Sequence, residues 1–130
     1  MMPAMDDVTL DALMDLSHDL GKYLRLPLAM LPEDASPAEI CVALETALLR
    51  TRVGPQGVRA AREIWLEIRA ELAEPLAGNT GFEALESAVE RALAWERALG
   101  GGGIDRAALS ADFEDVTLCI RALIEEVSRG

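Results

Sequence analysis

Apolar residues recur along this chain at alternating intervals of three and four, the spacing that gathers them on one face of an α-helix. Leu10, Leu13, Leu16, Leu20 and Leu24 form the first such stripe. It predicts a helix over about 6–26, started near Asp6, Asp7 or Thr9 and ended or kinked at Pro27. Proline lacks an amide donor and restrains the residues before it. Leu28 to Leu31 then read as a short continuation closed by Pro32. A second stripe, Ile40, Leu44, Ala47 and Leu48, predicts a helix over 37–51. Its start is the sharpest in the chain, because Ser36, Pro37, Ala38 and Glu39 form a capping box with proline at the first helical position.

After a turn at Gly54, Pro55, Gln56 and Gly57, the residues Val58, Ala61, Trp65, Ile68 and Leu72 mark a third helix over 57–74, with Ile64 widening its inner face and Pro75 stopping it. Thr80, Gly81, Phe82 and Glu83 read as a second capping box. The fourth helix, 81–99, buries Phe82, Leu85, Val89, Ala92 and Leu93. Gly100 to Gly103 make a connection that no helix holds, and Asp105 is the natural N-cap of a last helix over 105–128. Its stripe of Leu109, Phe113, Val116, Ile120, Leu123 and Val127 is the most regular of all.

Five amphipathic helices with short connections predict an all-α protein, a single-domain bundle of four to five antiparallel helices without internal repeats. Composition agrees: 51% of residues are hydrophobic but only 4% aromatic, with Ala and Leu, both strong helix formers, dominating. A chain of 130 residues buries about two thirds of its unfolded surface without crosslinks.

Charge narrows the partners. Twelve basic residues against 23 acidic ones give a formal net charge of −11, a field that repels nucleic acid and anionic lipid. The opening residues lack the basic flank of a signal peptide, and the longest apolar run, Leu26 to Pro32, is too short to span a bilayer. The expectation is a cytoplasmic protein that binds neither nucleic acid nor membrane.

Chemistry concentrates at the single histidine. On a straight helix His18 lies some 140° from the centre of the leucine stripe and faces solvent, among Asp11, Asp15, Lys22 and Arg25. An exposed imidazole beside the Asp19 carboxylate, with Lys22 and Arg25 one and two turns on, has what a phosphate acceptor needs: an accessible nitrogen, an orienting group and positive charge. The string Ser17, His18, Asp19, Leu20 resembles the H-box of histidine kinase dimerisation domains and histidine phosphotransfer proteins, which are helical bundles relaying phosphate from an exposed histidine. The resemblance covers four residues. Pro27 stands later than the proline of the kinase H-box, and Gly21, Lys22 reverses the order of the lysine and glycine found in many phosphotransfer modules; with no nucleotide-binding domain in the sequence after this string, the expectation is that it carries no kinase activity. His18 to Lys22 also looks like the HD signature of metal-dependent phosphohydrolases, but that chemistry requires a second histidine, and the chain has one.

Other templates fail for want of residues. Cys41 and Cys119 stand alone among apolar neighbours and read as buried reduced thiols. The carboxylate pairs Glu63 with Glu67 and Glu86 with Glu90 lie on polar faces, so no metal or cofactor is expected. Arg59, Arg62 and Arg69, joined by Arg50 and Arg52, form one basic patch that either grips a partner's anionic groups or pairs within its own helix, as Arg59 with Glu63. Leu26, Leu28, Met30 and Leu31 around Pro27, with Leu49, Leu66 and Trp95 off the main stripes, supply more apolar surface than one bundle seam requires. The expected function is a non-enzymatic, acidic protein-interaction module, an adaptor, regulator or dimer, docking through Leu26, Leu28, Met30, Arg59, Arg62 and Arg69. The alternative is a phosphorelay protein using His18.

Overall fold

Leu13, Leu16, Leu20 and Leu24 are all fully buried, and the helix they drive runs past the proline expected to stop it. The computed structural model describes residues 7–52, 58–100 and 104–129, with side chains at 9–50, 60–99 and 104–129. The first rod consists of α1 (Asp7–Leu16), a wide π-helical turn (Ser17–Lys22) and α2 (Tyr23–Ala29), which contains Pro27. An interior proline costs about 3 kcal/mol. Leu24 and Leu28, on either side of it, are buried and return about 1.5–3 kcal/mol each, so the helix holds for two further residues.

The remaining elements are α3 (Pro37–Leu49), a two-residue antiparallel ribbon of β1 (Thr51–Arg52) and β2 (Val58–Arg59), α4 (Ala61–Leu72), α5 (Thr80–Ala94) continued by a 3₁₀ segment (Trp95–Gly100), and α6 (Arg106–Arg129). This is an all-α bundle. The third helix starts at Ala61 rather than 57, because Val58 and Arg59 pair with Arg52 and Thr51. The Asp6 start, the Gly54 to Gly57 turn and the Gly101 to Gly103 connection lie outside the described residues, as do the side chains of Arg52, Val58 and Arg59.

Cross-helix contacts fix the directions. Arg69 meets Glu86 and Arg62 meets Glu96; Asn79 meets Glu126 and Trp95 meets Asp112; Gly21 meets Thr117 and Arg25 meets Glu114. In each pair of helices one number rises as the other falls, so α4 with α5, α5 with α6, and the first rod with α6 run antiparallel. The buried side chains of all these helices, from Leu13 and Leu44 to Trp65, Leu85 and Phe113, join in one cluster.

Capping follows the predicted chemistry at two helices and departs from it at a third. Ser36 and Glu39 form the reciprocal capping box of α3, and Asp105 accepts from the amides of Ala107 and Ala108. At α5 the cap is Asn79, not Thr80: its side chain accepts from the Phe82 amide at 3.0 Å and donates to Glu126 of α6 at 2.6 Å. Asn79 thereby caps the helix and ties its start to the neighbouring helix.

The first rod is held to α6 at two points. Gly21 is buried against α6, where a Cβ would stand 3.3 Å from Ile120 Cδ1, and its carbonyl accepts from the Thr117 hydroxyl at 3.3 Å. At the rod's end, the Arg106 guanidinium donates to the carbonyls of Leu31 at 2.9 Å, Leu28 at 3.5 Å and Pro32. These carbonyls lie at and just beyond the end of α2, toward the negative end of its dipole; those of Leu28 and Pro32 also accept the backbone amides of Leu31 and Ala35. Replacing Arg106 by Ala is expected to lower stability by about 1–3 kcal/mol in urea denaturation, with Arg106→Lys recovering part of the loss; an unchanged midpoint would show that these bonds add nothing to water.

Candidate functional site

His18 lies on the π-helical turn, a rare helical variant frequent at functional sites. Its side chain is 60% exposed, as the sequence predicts. Nδ1 and the Asp19 carboxylate are 2.9 Å apart, and the ring meets Tyr23 edge-on at 5.6 Å between centroids. In the neutral ring, Nδ1–H donating to Asp19 leaves Nε2 as the free lone pair, without a protein partner among the described residues. Lys22 is exposed on the same turn and pairs with no described carboxylate, while Arg25 reaches Glu114 of α6 at 3.9 Å, both ends half in water. The turn therefore brings His18, Asp19 and Lys22 together and leaves Arg25 leaning on another helix. An exposed pair of this kind contributes less than about 1 kcal/mol, so Arg25 remains free to swing away.

The arginines of α4 do not form an unpaired patch. Arg69 Nε donates to Glu86 at 2.7 Å and Arg62 lies 3.5 Å from Glu96, both across to the neighbouring rod rather than along α4. Arg50 pairs with Glu45 at 3.1 Å. Arg59 sits on β2, with its side chain outside the described residues.

The three apolar candidates around Pro27 separate. Leu28, 4% exposed, belongs to the core, Leu26 is half-buried, and Met30 is 81% exposed at the end of the rod. Beside Met30 opens a groove of about 390 Å³ between α2 and α3, lined by Pro27, Leu31, Ala38, Glu39, Val42, Ala43 and Thr46. Val42 is 67% exposed on its wall. The Thr46 hydroxyl donates to the Val42 carbonyl at 2.9 Å, so it makes no polar demand on the groove. Ala38, Val42, Thr46 and Leu49, spaced at four, four and three, form an outer stripe on α3 behind the inner stripe of Ile40, Ala43, Leu44, Ala47 and Leu48. Glu39, at the groove's edge, accepts from the Ser36 amide at 3.0 Å, and this capping holds its carboxyl below its ordinary range.

Sequence reasoning missed this outer stripe, although its signal was present. Between Pro37 and Leu49 only Glu39 and Glu45 are charged, so α3 is apolar nearly all round. Both cysteines are free thiols, but half-buried rather than buried as expected; desolvation, with Asp115 adding to it, pushes the Cys119 thiol up. Among the described residues the buried Trp65 indole N–H has no hydrogen-bond partner. Among the described residues no group of three or more His, Cys, Asp or Glu side chains is placed to hold a metal, and no helix is long and apolar enough to cross a membrane.

Fold and site thus define a helical bundle with one exposed histidine–aspartate pair and one apolar groove. No family model, curated protein or solved structure matches the chain.

The His18–Asp19 contact predicts a tautomer. Nitrogen-15 NMR of the neutral ring is expected to show the proton on Nδ1, shifting toward Nε2 in Asp19→Ala; an unchanged ratio in the variant would mean that Asp19 does not orient the ring.

Proposed function

We propose that this chain is a non-catalytic, cytoplasmic protein-interaction module that docks another polypeptide in the groove between α2 and α3. The observation that carries this reading is the outer face of α3. A helix apolar on every side is normally covered on every side. Here the bundle covers Ile40, Ala43, Leu44, Ala47 and Leu48 and leaves Val42, Leu49 and the neighbouring Met30 in water. Burying such side chains fully returns about 1.5–3 kcal/mol each, enough for a small docking site once the cost of ordering a partner is subtracted. The net charge of −11 favours a protein over nucleic acid or an anionic membrane, and the internal pairing of Arg62 and Arg69 moves the docking surface away from α4. The reading invokes no cofactor.

Photocrosslinking from a benzoylphenylalanine in place of Val42, in the cells that make the protein, is expected to give one discrete adduct, with none from the same probe in place of Leu66, an exposed residue of α4. Equal adducts from both positions, or none from Val42, would contradict it.

One observation favours a second reading, in which His18 accepts phosphate. Asp19 holds Nδ1, so the Nε2 lone pair faces outward to attack a phosphorus atom. The N–P bond forms as the donor's P–O or P–N bond breaks, Asp19 stabilises the Nδ1 proton of the resulting cation, and Lys22 offsets phosphoryl charge. Incubation with phosphoramidate or a phosphorylated receiver domain is expected to leave acid-labile phosphate on the wild type and none on His18→Gln; equal labelling of both ends this reading.

A further inference from the structure

We propose that the occupant of the α2–α3 groove is an amphipathic helix whose flanks carry lysine or arginine, and not a second copy of this chain. The inference rests on the docking reading above and names the partner's chemistry.

The shape comes first. The outer stripe of α3 repeats through Ala38, Val42, Thr46 and Leu49, so the apolar track follows a helix axis for about 17 Å at 1.5 Å per residue. Ala38, Val42 and Thr46 line the groove and Leu49 extends the stripe beyond it, a track along α3 that matches about three turns of a docked helix presenting anchors at intervals of three and four. Pro27 and Leu31 form the opposite wall, and Met30, projecting into water at the end of α2, is a flexible apolar side chain suited to close over such an anchor.

Charge then selects among helices. From Leu26 to Leu49 the chain holds no lysine, arginine or histidine, while Glu33, Asp34, Glu39 and Glu45 all fall within it. Glu39 lines the groove, fixed there by its bond to the Ser36 amide. Glu33 and Asp34 are exposed in the loop joining the two walls. Glu45 is offset by Arg50. Among the described residues, Arg106 of α6 reaches this end of the groove, and its guanidinium is already engaged by the carbonyls of Leu28, Leu31 and Pro32. An apolar floor with an acidic rim attracts a basic amphipathic helix and repels an acidic one. A second copy is disfavoured on the same ground: a two-fold contact through this face sets Glu33, Asp34 and Glu39 against themselves, between molecules of net charge −11.

The test uses fluorescent peptides of roughly fourteen residues, long enough to cover the track. One is an amphipathic leucine–lysine helix, the second has lysine replaced by glutamate, and the third is the first with its sequence shuffled so that the apolar stripe is lost. The leucine–lysine helix is expected to bind at least about tenfold more tightly than the other two by fluorescence anisotropy. Val42→Glu is the discriminating variant, because it adds negative charge while spoiling the apolar floor. Docking in the groove predicts weakening of about tenfold or more, with Leu66→Glu leaving binding intact. Unchanged or tighter binding to Val42→Glu would reduce the attraction to bulk charge and overturn the proposal. Equal binding of the glutamate or shuffled peptide, blocked by Val42→Glu, would overturn the partner's chemistry while leaving the docking surface standing. A dimer in sedimentation velocity that Val42→Glu dissociates would assign the groove to a second copy and overturn it too. Silence of all three peptides, together with no adduct from Val42, would remove both the proposal and the reading beneath it.

Discussion

The close approach of the first rod to α6 at Gly21 governs the arrangement of the bundle. With no Cβ at that position the two helices settle against each other, Ile120 fills the space and Thr117 satisfies the carbonyl. A side chain at this position requires the end of Ile120 to give way by a few tenths of an ångström. From this contact the rod's leucines reach the common core, and at the far end Arg106 of α6 holds the carbonyls of Leu28, Leu31 and Pro32 where α2 runs out. Both ends of α2 are thereby registered against one helix, although Pro27 weakens it from within. The wall of the groove is as well placed as the core behind it.

The second wall follows from a surplus. Most helices of the bundle divide into an apolar inner face and a charged outer one, and their charges meet across the antiparallel seams: Arg62 with Glu96, Arg69 with Glu86, Arg91 with Asp112 and Asp115. On α3 the division is missing. Its two carboxylates are occupied, Glu39 in the capping box and Glu45 with Arg50, and its outer stripe is alanine, valine, threonine and leucine. A surface of that kind is a docking face where a partner exists and an aggregation hazard where none does.

Much of this was legible in the sequence, for reasons that also mark where reading stops. The alternating spacings found every rod, because the buried residues are the periodic ones. Leu13, Leu16, Leu20, Leu24, Trp65 and Phe113 are all interior. The end of the first helix was misplaced because the proline rule is local, whereas Leu24 and Leu28 are retained by tertiary burial. Asn79 displaced Thr80 as a cap through its bond to Glu126, a residue 47 positions away. The arginines read as a patch because their partners become visible only once α4 and α5 are set antiparallel. At the candidate sites, His18 was readable as the lone imidazole off the leucine stripe, and Met30 as surplus next to a proline. Val42 was overlooked although α3's scarcity of charge was in plain view, because attention to an inner stripe hides an outer one.

The central claim is that α3 is apolar on two faces and that one of them is open to solvent. Methyl NMR with a soluble nitroxide tests it directly on the isolated protein. Strong broadening of the Val42 and Leu49 methyls, with Leu44 and Leu48 protected, is the result the account predicts. Protection of Val42 to the same degree as Leu44 would mean that the outer face is already covered, and would contradict it.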